Sequence, residues 1–137
     1  MKPTLQAGIA VSREYAIDRG RTIDFMGEDA CVYATPMLVR DIEVACRELL
    51  LAHLDAGEDS VGTRVEIDHI GATLLGMKVA LSIRVAEVNG RAVVFEVEGR
   101  DAVEPIVRGR HSRFVVDIAK TAQRLAAKAA KARSASL

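Results

Sequence analysis

Two periods divide the chain. From Thr35 to about Ala56, apolar residues recur every three to four positions: Leu38, Ile42, Ala45 and Leu49 make one row, and Val39, Glu43, Cys46 and Leu50 the adjacent one. The pattern predicts one long amphipathic helix that buries this double row and leaves Arg40, Asp41, Val44, Arg47 and Glu48 largely on the far side. Thr35 is placed as its N-cap. Pro36 suits the first helical position, where a missing N–H costs nothing, and Gly57 suits the C-terminal stop. Glu43 is the anomaly, because it falls in or beside the stripe, and a carboxylate among apolar neighbours is costly unless it is paired or used.

After Gly57 the period falls to two. "SVGTRVEIDHIG" sets Val61, Thr63, Val65, Ile67 and His69 on one side and Gly62, Arg64, Glu66 and Asp68 on the other. "MKVALSIRVAEV" turns Met77, Val79, Leu81, Ile83 and Val85 inward, and "RAVVFEVEG" does the same with Val93, Phe95 and Val97. Between these two segments, a two-residue Asn89-Gly90 turn would oppose Ile83 to Glu96. A three-residue loop over 88–90 instead pairs Val85 with Val93, Ile83 with Phe95 and Leu81 with Val97, and is preferred. A first strand is expected near residues 4–16, a loop or lid over 18–34, and a last strand from about Glu104 to Val116. Helix and strand do not alternate, so the class is α+β: one antiparallel sheet wrapped around one long central helix, which is the arrangement of the hotdog fold, followed by a short C-terminal helix. A free sheet edge in so small a domain predicts a homodimer.

Composition narrows the function classes. The 137 residues make one domain, half hydrophobic and of zero formal net charge. No uncharged apolar run approaches the ~18 residues of a membrane span, and no secretory leader is evident, so a cytoplasmic location without membrane or nucleic-acid partners is expected. Cys31 and Cys46 lie far apart and read as reduced thiols. The balance of charge hides a basic tail over 118–137, in which Lys120, Arg124, Lys128 and Lys131 form a stripe on a helix. That stripe reads as a solvated face, or as a holder of phosphates; the lack of interleaved aromatics argues against nucleic acid. His53, His69 and His111 are scattered and there is no phosphate-binding glycine loop or serine elbow, so neither a metal nor a cofactor is expected.

The runs "VYATPMLVRDIEVACRELL", "SVGTRVEIDHIGATLLGMKV" and "RGRHSRFVVD" resemble the fluoroacetyl-CoA thioesterase-like branch of the hotdog superfamily over nearly the whole chain. The resemblance implies a catalytic group of a threonine at the helix start, a glutamate eight residues on and a histidine in the next strand, here Thr35, Glu43 and His69. It also implies substrate contacts at Gly62, whose backbone N–H is assigned to the thioester oxygen, and at Arg113 in the last strand. Arg110, beside Arg113, is a candidate for the CoA phosphates. Fluoroacetate-specific members carry an aromatic gate six residues before the threonine; here that place is Asp29, with Phe25 nearby as a partial substitute. The implied activity is hydrolysis of a small or medium acyl-CoA, CoA being part of the substrate, at a site on the subunit interface.

Thioester hydrolysis needs a base or nucleophile for the carbonyl carbon and donors for its oxygen, and these residue types supply both. Each also has an ordinary reading: Glu43 as an ion pair with Arg47 or Arg40, Thr35 as a cap, His69 as a core histidine, Gly62 as a bulge and Arg113 as a salt-bridge partner. The rival function is a hotdog module that binds an acyl-CoA without cleaving it, as sensor or carrier. It differs at Glu43, since a binder has no use for an ionised group beside the thioester.

Overall fold

The period-two segments form five strands in the computed structural model, which describes residues 1–136. They are β1 (Ala10–Ala16), β2 (Glu58–His69), β3 (Lys78–Asn89), β4 (Ala92–Arg100) and β5 (Pro105–Asp117). All neighbours are antiparallel, in the order β1-β3-β4-β5-β2, which leaves β1 and β2 as the edges. The long helix α1 (Thr35–Leu51) lies on one face of the sheet. It presses Leu38, Ile42, Ala45, Cys46 and Leu50, all fully buried, onto Val79, Leu81, Val85, Val93 and Phe95. Burial raises the Cys46 thiol to about 12, so it packs as a small apolar group.

The basic tail is helical from Ile118 to Ala132 (α2) and starts on an Asp117 cap, whose carboxylate accepts from the Lys120 N–H at 2.9 Å. None of its residues is buried. No helix among the described residues is long and apolar enough to cross a membrane.

Five expectations are corrected. Helix α1 begins at Thr35 itself, with Ala34 as the cap and no side-chain cap bond, because the Ala34 carbonyl takes the first helical N–H groups from Met37 and Leu38 at 3.0 Å. The Thr35 hydroxyl is therefore left free for another partner. The helix also ends a turn early, at Leu51; Gly57, with φ of 82°, instead turns the chain into β2. The first strand starts at Ala10, since Pro3 and the positive φ of Gly8 keep the preceding residues out of the ladder.

The β3–β4 hairpin closes through Gly90 and Arg91, with Asn89 opposite Ala92, rather than through residues 88–90. A bulge between Val85 and Glu87 restores the phase, so that Val85 faces Phe95 and Ile83 faces Val97, and the same apolar residues stay inside in a shifted register.

The fifth correction concerns β2. A bulge between Gly62 and Arg64 interrupts the alternation, pairing Gly62 with Arg113 but Arg64 with Ser112. Gly62 and His69 are seven residues apart and would point to opposite faces of a regular strand. The extra residue brings both onto the helix-facing side, while Val61, opposite Phe114, turns outward and is exposed.

Candidate active site

Two groups of side chains lie on the helix side of the sheet near the β2 edge. The first is at the start of α1. The free Thr35 hydroxyl meets His69 Nδ1 at 2.8 Å, and His69 Nε2 is buried without a hydrogen-bond partner among the described residues. Burial pulls the His69 pKa below its ordinary value, with the Gly71 backbone opposing, so the ring is neutral at pH 7. A cavity of about 350 Å³ opens onto this pair, walled by Ile23, Phe25, Val32 and Ile70. Phe25 stands at its rim, largely exposed, and Asp29 lies in the exposed turn Glu28–Ala30.

Tyr33 packs its ring edge-on against His69, with centroids 6.2 Å apart, and donates its hydroxyl to Asp41. Asp41 was expected on the outer side of the helix; instead it is buried. Its carboxylate takes two bonds from Arg21, from Nε at 2.8 Å and from Nη2 at 3.2 Å. The physical reason is that the 18–34 segment folds over that side of α1 and supplies Arg21 and Tyr33 as partners.

The second group lies two helical turns further on. Glu43 Oε1 stands 3.8 Å from Arg113 Nη1 and 3.9 Å from His111 Nε2. Its side chain is 41% exposed in the single chain, so it occupies the margin of the buried stripe and not its centre. Gly62 makes the room: a Cβ there would come within 2.2 Å of Glu43 Oε1. Arg113 is buried and tied to Ser60, from Nε to the hydroxyl and from Nη2 to the carbonyl, each at 2.8 Å.

Thr35, His69 and Phe25 thus come together, as do Glu43, Gly62 and Arg113. Within one chain the two groups are separate. Eight helical residues span about 12 Å, and seven strand residues about 23 Å. Arg110 joins neither group: it points out of the opposite face of the sheet, exposed, with Glu96 at 3.8 Å. Sequence reasoning missed Tyr33, Asp41, Ser60 and His111. For His111 the signal was present, since it lies two residues before Arg113 on a strand and therefore shares its face. No cluster of metal-ligating side chains occurs among the described residues.

Comparison with known proteins agrees with this architecture. The family model described as "Fluoroacetyl-CoA-specific thioesterase" matches residues 17–119. The fluoroacetyl-CoA thioesterase of Streptantibioticus cattleyicolor is 28% identical over 127 residues, 88% of this chain and 91% of its own. A solved structure of the fluoroacetyl-CoA thioesterase FlK superposes with a TM-score of 0.82 at 25% identity, covering 90% of this chain and 97% of that one. A thioesterase superfamily member from Thermus thermophilus superposes with a TM-score of 0.87 at 26% identity, over 97% and 99% of the two chains.

Proposed function

The chain belongs to the fluoroacetyl-CoA-specific thioesterase family, and from that premise we propose that it hydrolyses a small or medium acyl-CoA to the free acid and CoA. The observation that carries the mechanism is the state of Glu43: a carboxylate with no hydrogen bond to a protein donor among the described residues, open at the sheet edge and with a guanidinium 3.8 Å away. Such a group can take a proton. In the proposed reaction Glu43 accepts a proton from the attacking water as its oxygen bonds to the acyl carbon. Negative charge then gathers on the thioester oxygen, which the backbone N–H of Gly62 receives. The C–S bond breaks, and the proton held by Glu43 passes to the departing sulfur, giving CoA as the thiol. Neutral His69 and the hydroxyl it holds on Thr35 orient the acyl group, with Phe25 at the mouth of its pocket.

This reading requires the two groups to meet, and the free β2 edge offers a way. Two copies of β2 paired antiparallel about Glu66, with the extra residue of the bulge between Gly62 and Arg64 left unpaired in each, would set His69 of one opposite Gly62 of the other. The Thr35–His69 pair would then face the Glu43 carboxylate of the second copy. Val61 and Val65, exposed on this edge strand, fit burial in such a dimer. Fluoroacetyl selectivity is not part of the proposal, since Asp29 is not aromatic.

The test is thiol release from a panel of acyl-CoAs, from acetyl and fluoroacetyl upward in chain length. Turnover by the native chain and its loss in Glu43→Gln are expected. Tight binding of acyl-CoA with no turnover on any member of the panel would replace the hydrolase with a binding module.

A further inference from the structure

Arg113 reaches toward Glu43 without closing on it, although a guanidinium free to move would bind a carboxylate directly near 2.8 Å. What holds it back is visible in its other bonds. Nε and Nη2 are taken by Ser60, and Nη1 donates to His111 Nε2 at 3.2 Å. His111 is fixed in turn. Its Nδ1 lies 2.7 Å from the Arg64 carbonyl, which can only accept, so the proton sits on Nδ1 and Nε2 offers its lone pair to Arg113. The ring is fully buried and stacked on Phe95 at 6.4 Å, and burial lowers its pKa, in keeping with the neutral tautomer. His111 is therefore no salt-bridge partner of Glu43, despite the 3.9 Å separation.

We propose that His111 and Ser60 are positioning residues that hold the Arg113 guanidinium at a stand-off from Glu43. At 3.8 Å the guanidinium stands beside the carboxylate, yet leaves both its oxygens without a hydrogen bond from a protein donor among the described residues and free for water or substrate. A direct two-bond pair would occupy those oxygens and make a poorer base. The surroundings leave this role to Arg113. The groups facing Glu43 are Arg113 and His111 from β5 and the backbone of Gly62 from β2. On its own helix lie Cys46, Arg40 and Arg47; exposed Arg40 makes no ion pair with Glu43 among the described residues, and the Arg47 guanidinium is turned away to Asp59 of β2 at 3.0 and 2.7 Å.

The inference rests on Glu43 being the base, and the experiment separates the two. His111→Leu removes the acceptor and frees Nη1 to close on Glu43. Its kcat is expected to fall about 10- to 100-fold, as for a general base displaced or weakened, with KM changed less than about twofold. The acid limb of its kcat profile should move to lower pH, because a directly paired carboxylate is harder to protonate. His111→Gln, whose amide can donate to Arg64 and accept from Arg113, should restore kcat to within about threefold. Ser60→Ala releases Nε alone and should move kcat and the acid limb the same way by less, which keeps the test open if the leucine variant does not fold. An acid limb moving to higher pH would show that His111 only keeps Arg113 near. Wild-type kcat in His111→Leu, or in Ser60→Ala, overturns the inference while Glu43→Gln remains inactive; wild-type kcat in Glu43→Gln overturns the hydrolytic reading and this inference together.

Discussion

Asp41 and Glu43 stand two residues apart on α1, which turns their side chains about 200° from each other. Asp41 faces the 18–34 segment with 4% of its side chain exposed; Arg21 grips its carboxylate twice and Tyr33 donates to it as well. Glu43 faces the β2 edge with 41% exposed; it accepts no hydrogen bond among the described residues, and the Arg113 guanidinium stands 3.8 Å away. The buried acid is thus the one with no capacity to spare, and the acid suited to chemistry is the one left partly open. The helix was expected to set Glu43 in or beside its buried stripe and Asp41 on the far side. The enclosure of Asp41 follows from what lies opposite each face, since a carboxylate can be buried only where fixed donors meet it. Asp41 ties the 18–34 segment, which walls the cavity at Thr35 and His69, to the helix, while the Glu43 carboxylate is left open at the β2 edge.

The largest effect expected is on Glu43. Glu43→Gln should lower kcat/KM about 10³-fold, within the range for a positioned general base, with thermal stability unchanged within ~0.5 kcal/mol; a matching loss of stability would make it a structural acid like its neighbour. Asp41→Ala should do the reverse. It leaves Arg21 and Tyr33 without their acceptor and is expected to cost about 3 kcal/mol in denaturant unfolding; an unchanged midpoint would show that the Asp41 network is slack.

Gly62→Ala pushes a methyl group against the end of a flexible side chain, so it should displace the Glu43 carboxylate with little loss of stability. Turnover should fall about 10- to 100-fold. Mixing Glu43→Gln with His69→Ala chains under subunit exchange should recover roughly a quarter of native activity, since half the dimers are mixed and each carries one intact site. No recovery at all would place both residues in one chain's site.

The smallest effect is in the pH dependence of stability. His69 and His111 both have pKa values lowered by burial, so the unfolded chain binds more protons on the acid side. Their contribution is complete above about 6.5, the ordinary value, and is lost as pH falls through the lowered native values. Melting temperature should therefore decline on acidification from pH 6.5, before the paired carboxylates of Glu58, Asp59 and Glu96, whose pKa values are lowered by their partners, add their own loss. His111→Gln should flatten the upper part of that decline.

Much of the fold was legible because its signals are local. The apolar rows of α1, the inward residues of β3 and β4, the last strand and the basic helix follow from periods of 3.6 and 2 that each segment carries within itself. The hairpin register was misread because a bulge at residue 86 lets two loop closures bury the same residues, and the alternation alone does not choose between them. Of the site, Thr35 meets His69, and Glu43 lies beside Gly62 and Arg113, so residues far apart in the chain that the resemblance named together share two neighbourhoods. Arg110 lies apart from Arg113, because the two are an odd number of positions apart and a regular strand turns them to opposite faces.

From its residues alone this chain determined a single apolar stripe on one helix, five alternating segments to receive it, and the set of side chains that carry chemistry. Tertiary structure decided which face of β2 carries Gly62, which of two neighbouring acids is enclosed, and how far a guanidinium stands from the other. The reason is that patterning depends on neighbours in sequence, whereas bulges, burial of charge and stand-off distances depend on donors and backbone brought from 20 to 70 residues away, as Arg21 is to Asp41 and Arg113 to Glu43.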